Sequence, residues 1–284
     1  MNHLHRELAP ISDAAWQEID KEGKRTLSII LAARRLVDFV GPQGWTASAI
    51  GTGRTRKLER PAEGVEAALR SVQPLVELRV PFELSRAEID AVDRGATDFD
   101  SDPVIEASRS IAIAEDRAIF HGFAAGGIRG ICEASGTASI PLSDDYEAYP
   151  VVVATALNKL RTEGVEGPYA IALSERYYTD LTESTKGGYP VLEHVRKLVD
   201  GPLVWAPGLD GGLVMSMRGE DFQLTVGQDF SIGYLDHDAL RVRLYIEESF
   251  TFRVLSPQAA IPLAYAAAEV RPNAAPRPKA KKAR

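Results

Sequence analysis

The stretch Arg241 to Val254 constrains the fold more than any other part of the chain. Val242, Leu244, Ile246, Phe250, Phe252 and Val254 share one parity, and Arg241, Arg243, Tyr245, Glu247, Ser249, Thr251 and Arg253 share the other. A period of two marks a β-strand with one face on a core. Only Glu248 stands on the apolar parity. Strands usually run to about five or six residues, so this one is expected to be the backbone of an elongated antiparallel sheet rather than part of a small barrel.

Such a sheet needs helices and further strands to cover it. Asp102-Pro103 makes a helix start with proline in the first turn, and Ile105, Ser108, Ile111, Ala112, Glu115 and Ile119 follow at spacings of three and four before Gly122. Ser12 and Asp13 precede Trp16, Ile19, Leu27, Ile30, Leu31 and Arg34, which predicts a helix over 12–35 despite Gly23. Leu36 to Val40 reads as a short strand ended by Gly41-Pro42-Gln43-Gly44. From Trp45 to Leu84 the chain reads as extended, with a polar tip near Arg60-Pro61 and a return leg in which Leu78, Val80, Phe82 and Leu84 share a parity. This predicts a long arm, and because such an arm cannot bury itself it is expected to pack on another chain. Residues 126–222 alternate helical pieces (149–163, 174–183, 190–199) with strands at 169–173 and near Leu203 and Leu213, a compact α/β unit. After Pro262 the tail has proline, alanine and positive charge but nothing to bury, and is expected to be disordered.

At 284 residues and 45% hydrophobic content the chain can bury a substantial core. No window approaches the roughly 18 uninterrupted apolar residues of a membrane span, nor does the start resemble an export signal, so a cytoplasmic protein is expected. The single cysteine, Cys132, cannot form an intrachain disulfide and reads as a small buried hydrophobe. The formal charge of −7 hides a split, since Arg271, Arg277, Lys279, Lys281, Lys282 and Arg284 stand in the tail with no acid among them. The acidic body argues against nucleic-acid binding by the folded part.

Motifs for chemistry are missing from the sequence: no phosphate-binding loop, no His-Glu-x-x-His pair, no Gly-x-Ser-x-Gly turn. Gly51-Thr52-Gly53 reads as a turn. Among five histidines only His3 and His5 are near neighbours, and a solvated pair in a mobile terminus is the expectation. His121 is expected to cap the carbonyls at the end of its helix. His194 and His237 have no neighbouring nucleophile in sequence, which leaves a triad assembled in space open. The acidic pairs Glu115-Asp116 and Asp144-Asp145 are expected to lie on solvated faces. No catalytic residue, metal or cofactor is expected.

Against this background, an ordered run of motifs carries a resemblance over about Leu4 to Leu263. Leu4-His5-Arg6-Glu7-Leu8-Ala9-Pro10 is followed by Trp16 to Asp20, Ala33 to Asp38, Gly41-Pro42, Gly44-Trp45 and Pro74 to Arg79. Next come Glu115-Asp116 with Ile119 to Gly122, then Gly164 to Tyr169, Gly188-Tyr189-Pro190, Arg218 to Phe222, Gly227 to Tyr234 and Glu248 to Phe252. Together they resemble the encapsulin shell proteins (family 1, linocin-M18-like), bacterial cages built on the fold of tailed-phage capsids.

The resemblance implies an α+β, HK97-type capsid fold with a peripheral P-domain (1–45, 85–130 and 226–265), an E-loop (46–84) and an axial A-domain (131–225), ahead of the basic tail (266–284). It implies a non-enzymatic subunit of a closed icosahedral shell of about sixty copies. The shell would enclose a cargo protein bearing a short C-terminal targeting peptide, either a ferritin-like iron-oxidising protein or a dye-decolourising peroxidase, for iron storage or oxidative-stress defence. By position, the cargo-peptide groove is expected at Ile29, Ile30, Leu31, Arg34 and Asp38 with Asp229, Phe230, Ile232, Tyr234 and Asp236. The five-fold pore loop is expected at Thr182, Glu183, Ser184, Thr185, Lys186, Gly187, Gly188 and Tyr189, where Lys186 would favour anions or the opening would be an unselective gap. The tail would lie outside the cage, solvated or as a nucleic-acid tether. The rival readings are a phage major capsid protein, and a protease or bacteriocin, for which the sequence shows neither a triad nor a signal.

Overall fold

Serine before an amphipathic run starts the first helix as expected: the Ser12 side chain accepts the Ala15 N–H, 3.2 Å away, ahead of α1 (Asp13–Ile30). The computed structural model describes residues 3–135, 139–143 and 145–265; the tail 266–284 and Asp144 lie outside the described residues. The helix stops at Ile30 rather than Arg35. A buried carboxylate, Asp116, accepts the N–H groups of Ala32 and Ala33 at 2.9 and 3.0 Å, and the chain bends at Leu31 into a short 3₁₀ turn, Ala33–Arg35. These two amides are thereby satisfied outside any α-helical ladder.

The chain continues through β1 (Asp38–Val40), β2 (Ala49–Lys57), β3 (Ala68–Pro74), β4 (Val76–Ser85), α2 (Arg86–Asp93) and the long α3 (Asp102–His121). Then follow α4 (Ile131–Ala134), β5 (Ile140–Leu142), α5 (Tyr149–Thr162), β6 (Tyr169–Leu173), α6 (Glu175–Glu183), β7 (Thr185–Lys186), β8 (Tyr189–Pro190) and α7 (Val191–Arg196). The last strands are β9 (Leu203–Trp205), β10 (Gly212–Ser216), β11 (Phe222–Val226), β12 (Ser231–His237), β13 (Arg241–Val254) and β14 (Ala260–Tyr265).

Strand β13 is as long as its alternation indicates because it serves three partners. Along one edge it pairs antiparallel with β12 through residues 242–247 and with β11 through 250–254, and along the other with β4 through 241–250. β1 extends this first sheet beside β11. Helices α1 and α3 pack under it around Trp16, Ile19, Ile89, Ile111, Leu244 and Ile246. The fold is therefore mixed α+β with an antiparallel sheet laid on a long helix.

Two expected boundaries move. The parity of Leu78 to Leu84 belongs to β4, a strand of the first sheet; only β2 and β3, which pair with each other, project as an arm. Likewise β14 does not join β12 and β13, but enters a second sheet of order β5-β14-β10-β6-β9, packed with α5, α6 and α7 around the larger core. Periodicity identifies a strand, but its partner is set by long-range packing.

The acidic pair Glu115-Asp116 corrects another expectation: both side chains are fully buried. His121 also departs from its expected role, since its Nε2 accepts the Asp210 N–H at 2.9 Å instead of meeting helix carbonyls. Burial lowers the pKa of that imidazole, which suits an acceptor nitrogen. His3 is held in place, stacked 4.0 Å from the Trp45 ring with Nε2 3.3 Å from the buried Glu247 carboxylate. Cys132 is partly buried, and burial pushes its thiol up to about 12, consistent with an inert packing role. Among the described residues no helix is long and apolar enough to cross a membrane, and no group of three or more His, Cys, Asp or Glu is placed to hold a metal ion.

Candidate functional site

One face of α1 and the entry to β12 enclose a groove of about 500 Å³. Asp20, Gly23, Lys24, Leu27, Ser28 and Leu31 line it from the helix side, at the three- and four-residue spacings that place them on one helical face. Asp229, Phe230, Ser231 and Ile232 line the other side, with Leu4 and Arg6 at the N-terminal end. Gly23 faces the strand: a Cβ there would lie 3.4 Å from Ile232 Cδ1, in ordinary van der Waals contact.

Arg34 closes one end of the groove. Its Nε lies 2.9 and 3.0 Å from the two oxygens of Glu115, Nη2 reaches Glu115 at 2.6 Å and Glu248 at 3.2 Å, and Nη1 reaches Asp229 at 2.8 Å. The guanidinium also sits 4.5 Å over the Phe230 ring. Burial disfavours its charge, but the bonds to Glu115 and the charges of Glu115, Glu248 and Asp229 outweigh burial and hold its pKa above the ordinary value. Glu248 is fully buried on the apolar face of β13, and burial together with Glu115 keeps its pKa well above the usual carboxylate range. The one break in the strand's parity is thus the point where the sheet reaches this cluster. At the mouth, Arg6 pairs with Asp20 at 2.8 Å and covers the Trp16 ring at 3.9 Å. Apolar side chains (Leu27, Leu31, Phe230, Ile232) interleaved with polar ones (Lys24, Ser28, Ser231) can seat an extended peptide by side-chain packing and hold it by hydrogen bonds.

Of the residues anticipated from sequence, Leu31, Arg34, Asp229, Phe230 and Ile232 line this groove. Ile30 is buried beneath it against Ala112, and Ile29 is exposed away from its lining. Asp38 lies elsewhere, accepting the Glu220 N–H at 2.6 Å. Tyr234 bonds His237 Nδ1 through its hydroxyl at 2.6 Å, and Asp236 pairs with Arg243 on the exposed end of the strand. Sequence reasoning missed Gly23, Lys24, Leu27 and Ser28, although the helical spacing that ends at Leu31 runs through all four.

The other anticipated site, 182–189, forms a compact tip. Thr182 and Glu183 end α6, Ser184 follows, and β7 and β8 close a hairpin through Gly187 and Gly188, both at positive φ (59° and 80°). Two successive positive φ values are what a tight two-residue hairpin turn requires, and glycine adopts them without strain. Lys186 Nζ donates to the Glu147 carbonyl at 3.1 Å. Tyr189, partly exposed, meets His194 edge-on at 5.0 Å.

This architecture has known counterparts. The chain resembles a solved virus-like particle from Pyrococcus furiosus over 87% of its length and 98% of that protein's, at 15% identity and a TM-score of 0.61, a likeness of fold. It is 58% identical over 270 residues to a type 1 encapsulin shell protein of Rhodospirillum rubrum, covering 93% of this chain and 96% of that one. It is 50% identical to a type 1 encapsulin shell protein of Mycolicibacterium paratuberculosis, covering 93% and 99%. Residues 1–251 match the Linocin-M18 family, described as an encapsulating protein for peroxidase. On a capsid-type fold, with matches of this identity across nearly its whole length, the chain belongs to the encapsulin shell protein family.

Proposed function

We propose that about sixty copies of this chain close into an icosahedral cage in the cytoplasm, and that the groove between α1 and β12 receives the C-terminal targeting peptide of an enclosed protein. The observation that carries the reading is the groove itself: a trough of mixed apolar and polar lining on a capsid-type subunit, with Arg34 and the Arg6–Asp20 pair at its ends. The family description, an encapsulating protein for peroxidase, favours a dye-decolourising peroxidase over a ferritin-like protein as cargo. Iron storage or defence against oxidative stress would then be properties of the cargo, the shell supplying confinement. Several peptides on one multimeric cargo would dock together, so each groove need bind only modestly. The hairpin at 182–189 is the proposed five-fold opening. The phage-capsid reading rests on likeness of fold alone, whereas the relatives at 50% identity and above are shell proteins of encapsulins.

Co-expression with a peroxidase, with and without its C-terminal peptide, tests the reading by electron microscopy and cargo yield. Ser28 is exposed on the groove lining, so Ser28→Trp should leave the particles intact and cut loading at least tenfold. Subunits that remain monomeric or dimeric would refute the cage, and unchanged loading in Ser28→Trp would refute the groove.

A further inference from the structure

A second pocket, of about 380 Å³, lies where the arm meets the body. Thr52, Arg54 and Gln73 contribute from β2 and β3; Arg129, Phe252 and Arg253 contribute from the body. Three arginines line it and no acidic residue does, in a protein whose net charge is −7. None of the three forms an ion pair among the described residues. Arg54 is exposed, and Arg129 has only a long 3.5 Å contact to the Glu133 carbonyl. Arg253 donates through Nη2 to the Gln223 side chain, yet its Nε is buried without an acceptor. A buried, unsatisfied donor on a charged group is costly, and each such group in a native protein calls for an explanation, a bound water or ion among them. Two neighbouring backbone carbonyls already accept hydrogen bonds. The Phe252 carbonyl takes the Gln73 amide at 2.7 Å, and the Ser71 carbonyl takes the Thr52 hydroxyl at 3.0 Å.

We propose that this pocket is an oxyanion site that ties the arm to the body. The guanidinium edge formed by Nε–H and a terminal N–H matches two oxygens of a phosphate or carboxylate. Arg253 leaves the Nε end of that edge free, while Arg54 and Arg129 supply further charge from opposite sides. Because Arg54 rides on the arm and the other two on the body, a bound oxyanion neutralises repulsion across the joint and fixes the arm's angle. Two sources offer this chemistry: free inorganic phosphate, and a carboxylate of a neighbouring copy of the chain.

The test uses assembled particles of the wild type, Arg54→Ala and Arg129→Ala, two exposed positions whose truncation spares the sheet. Thermal unfolding is followed in phosphate and in chloride at equal ionic strength, and particle integrity is followed in rising denaturant. A free anion predicts that phosphate raises the wild-type unfolding temperature, with the phosphate concentration needed increasing about tenfold in either variant. A neighbour's carboxylate predicts no phosphate effect on closed particles, with both variants coming apart at lower denaturant than wild type. A phosphate response unchanged in both variants, or no phosphate effect with unchanged particle integrity, overturns the proposal.

Discussion

Arg34 is ringed by three carboxyl groups, Glu115, Glu248 and Asp229, all within 3.2 Å. Truncating one partner of a buried ion pair typically costs about 3–5 kcal/mol, because the other charge stays buried. Arg34→Leu is therefore expected to lower unfolding stability by about that amount, measured by denaturant titration, with Glu115→Met added to Arg34→Leu restoring part of it. Asp116 sets a pH dependence of its own. Burial pushes its carboxyl up from 3.8 to about 7, against the two amide bonds that favour the anion. A carboxyl raised in the folded state binds its proton more tightly there than in the unfolded chain. Its contribution is thus full below about pH 4 and is lost as pH rises toward 7. Asp116→Asn should flatten that slope in unfolding titrations run near pH 4 and near pH 8. The sequence pointed to Glu248 through its break in parity and put Glu115 among the spaced positions of α3, but gave no sign that Asp116 beside it is buried. Consecutive residues on a helix diverge, and only a helix enclosed on several sides, as α3 is by α1, β4 and β13, buries both.

At the level of elements, α1 combines two tasks, packing under the sheet and lining the groove, and Gly23 lies where they meet. A Cβ at this position makes contacts of 3.4 Å and longer, within ordinary van der Waals range. Gly23→Ala is thus expected to stabilise the protein by about 0.5–1 kcal/mol through helix propensity, read as a shifted denaturation midpoint. α3 was legible almost residue for residue from its proline start and glycine stop, and β13 from its alternation. The end of α1 was not, because the signal that stops it is a carboxylate distant in sequence. The identity of β4 as a sheet strand was equally hidden, since nothing local distinguishes a strand paired with β13 from the leg of an arm. For the groove, resemblance by position named Asp229, Phe230 and Ile232, which line it, together with Tyr234 and Asp236, which do not, while helical spacing alone would have supplied the α1 side.

Across the whole molecule, the arm is the part the subunit cannot satisfy by itself. Among the described residues β2 and β3 pair only with each other, and Leu69 and Val72 are 50% and 59% exposed. A lone two-stranded ribbon is marginal in water. Replacing residues 52–71 with a short turn should leave the far-ultraviolet circular dichroism and thermal transition of the body nearly unchanged while abolishing closed particles in sedimentation velocity. The second sheet has a different dependence. Its strand β14, residues 260–265, sits between β5 and β10, joined to partners synthesised much earlier. During translation the sheet is left with an open seam until nearly all of the described chain has been made, and pairings this distant in sequence form slowly. A nascent subunit therefore completes its second sheet late, only once its last described strand has been made.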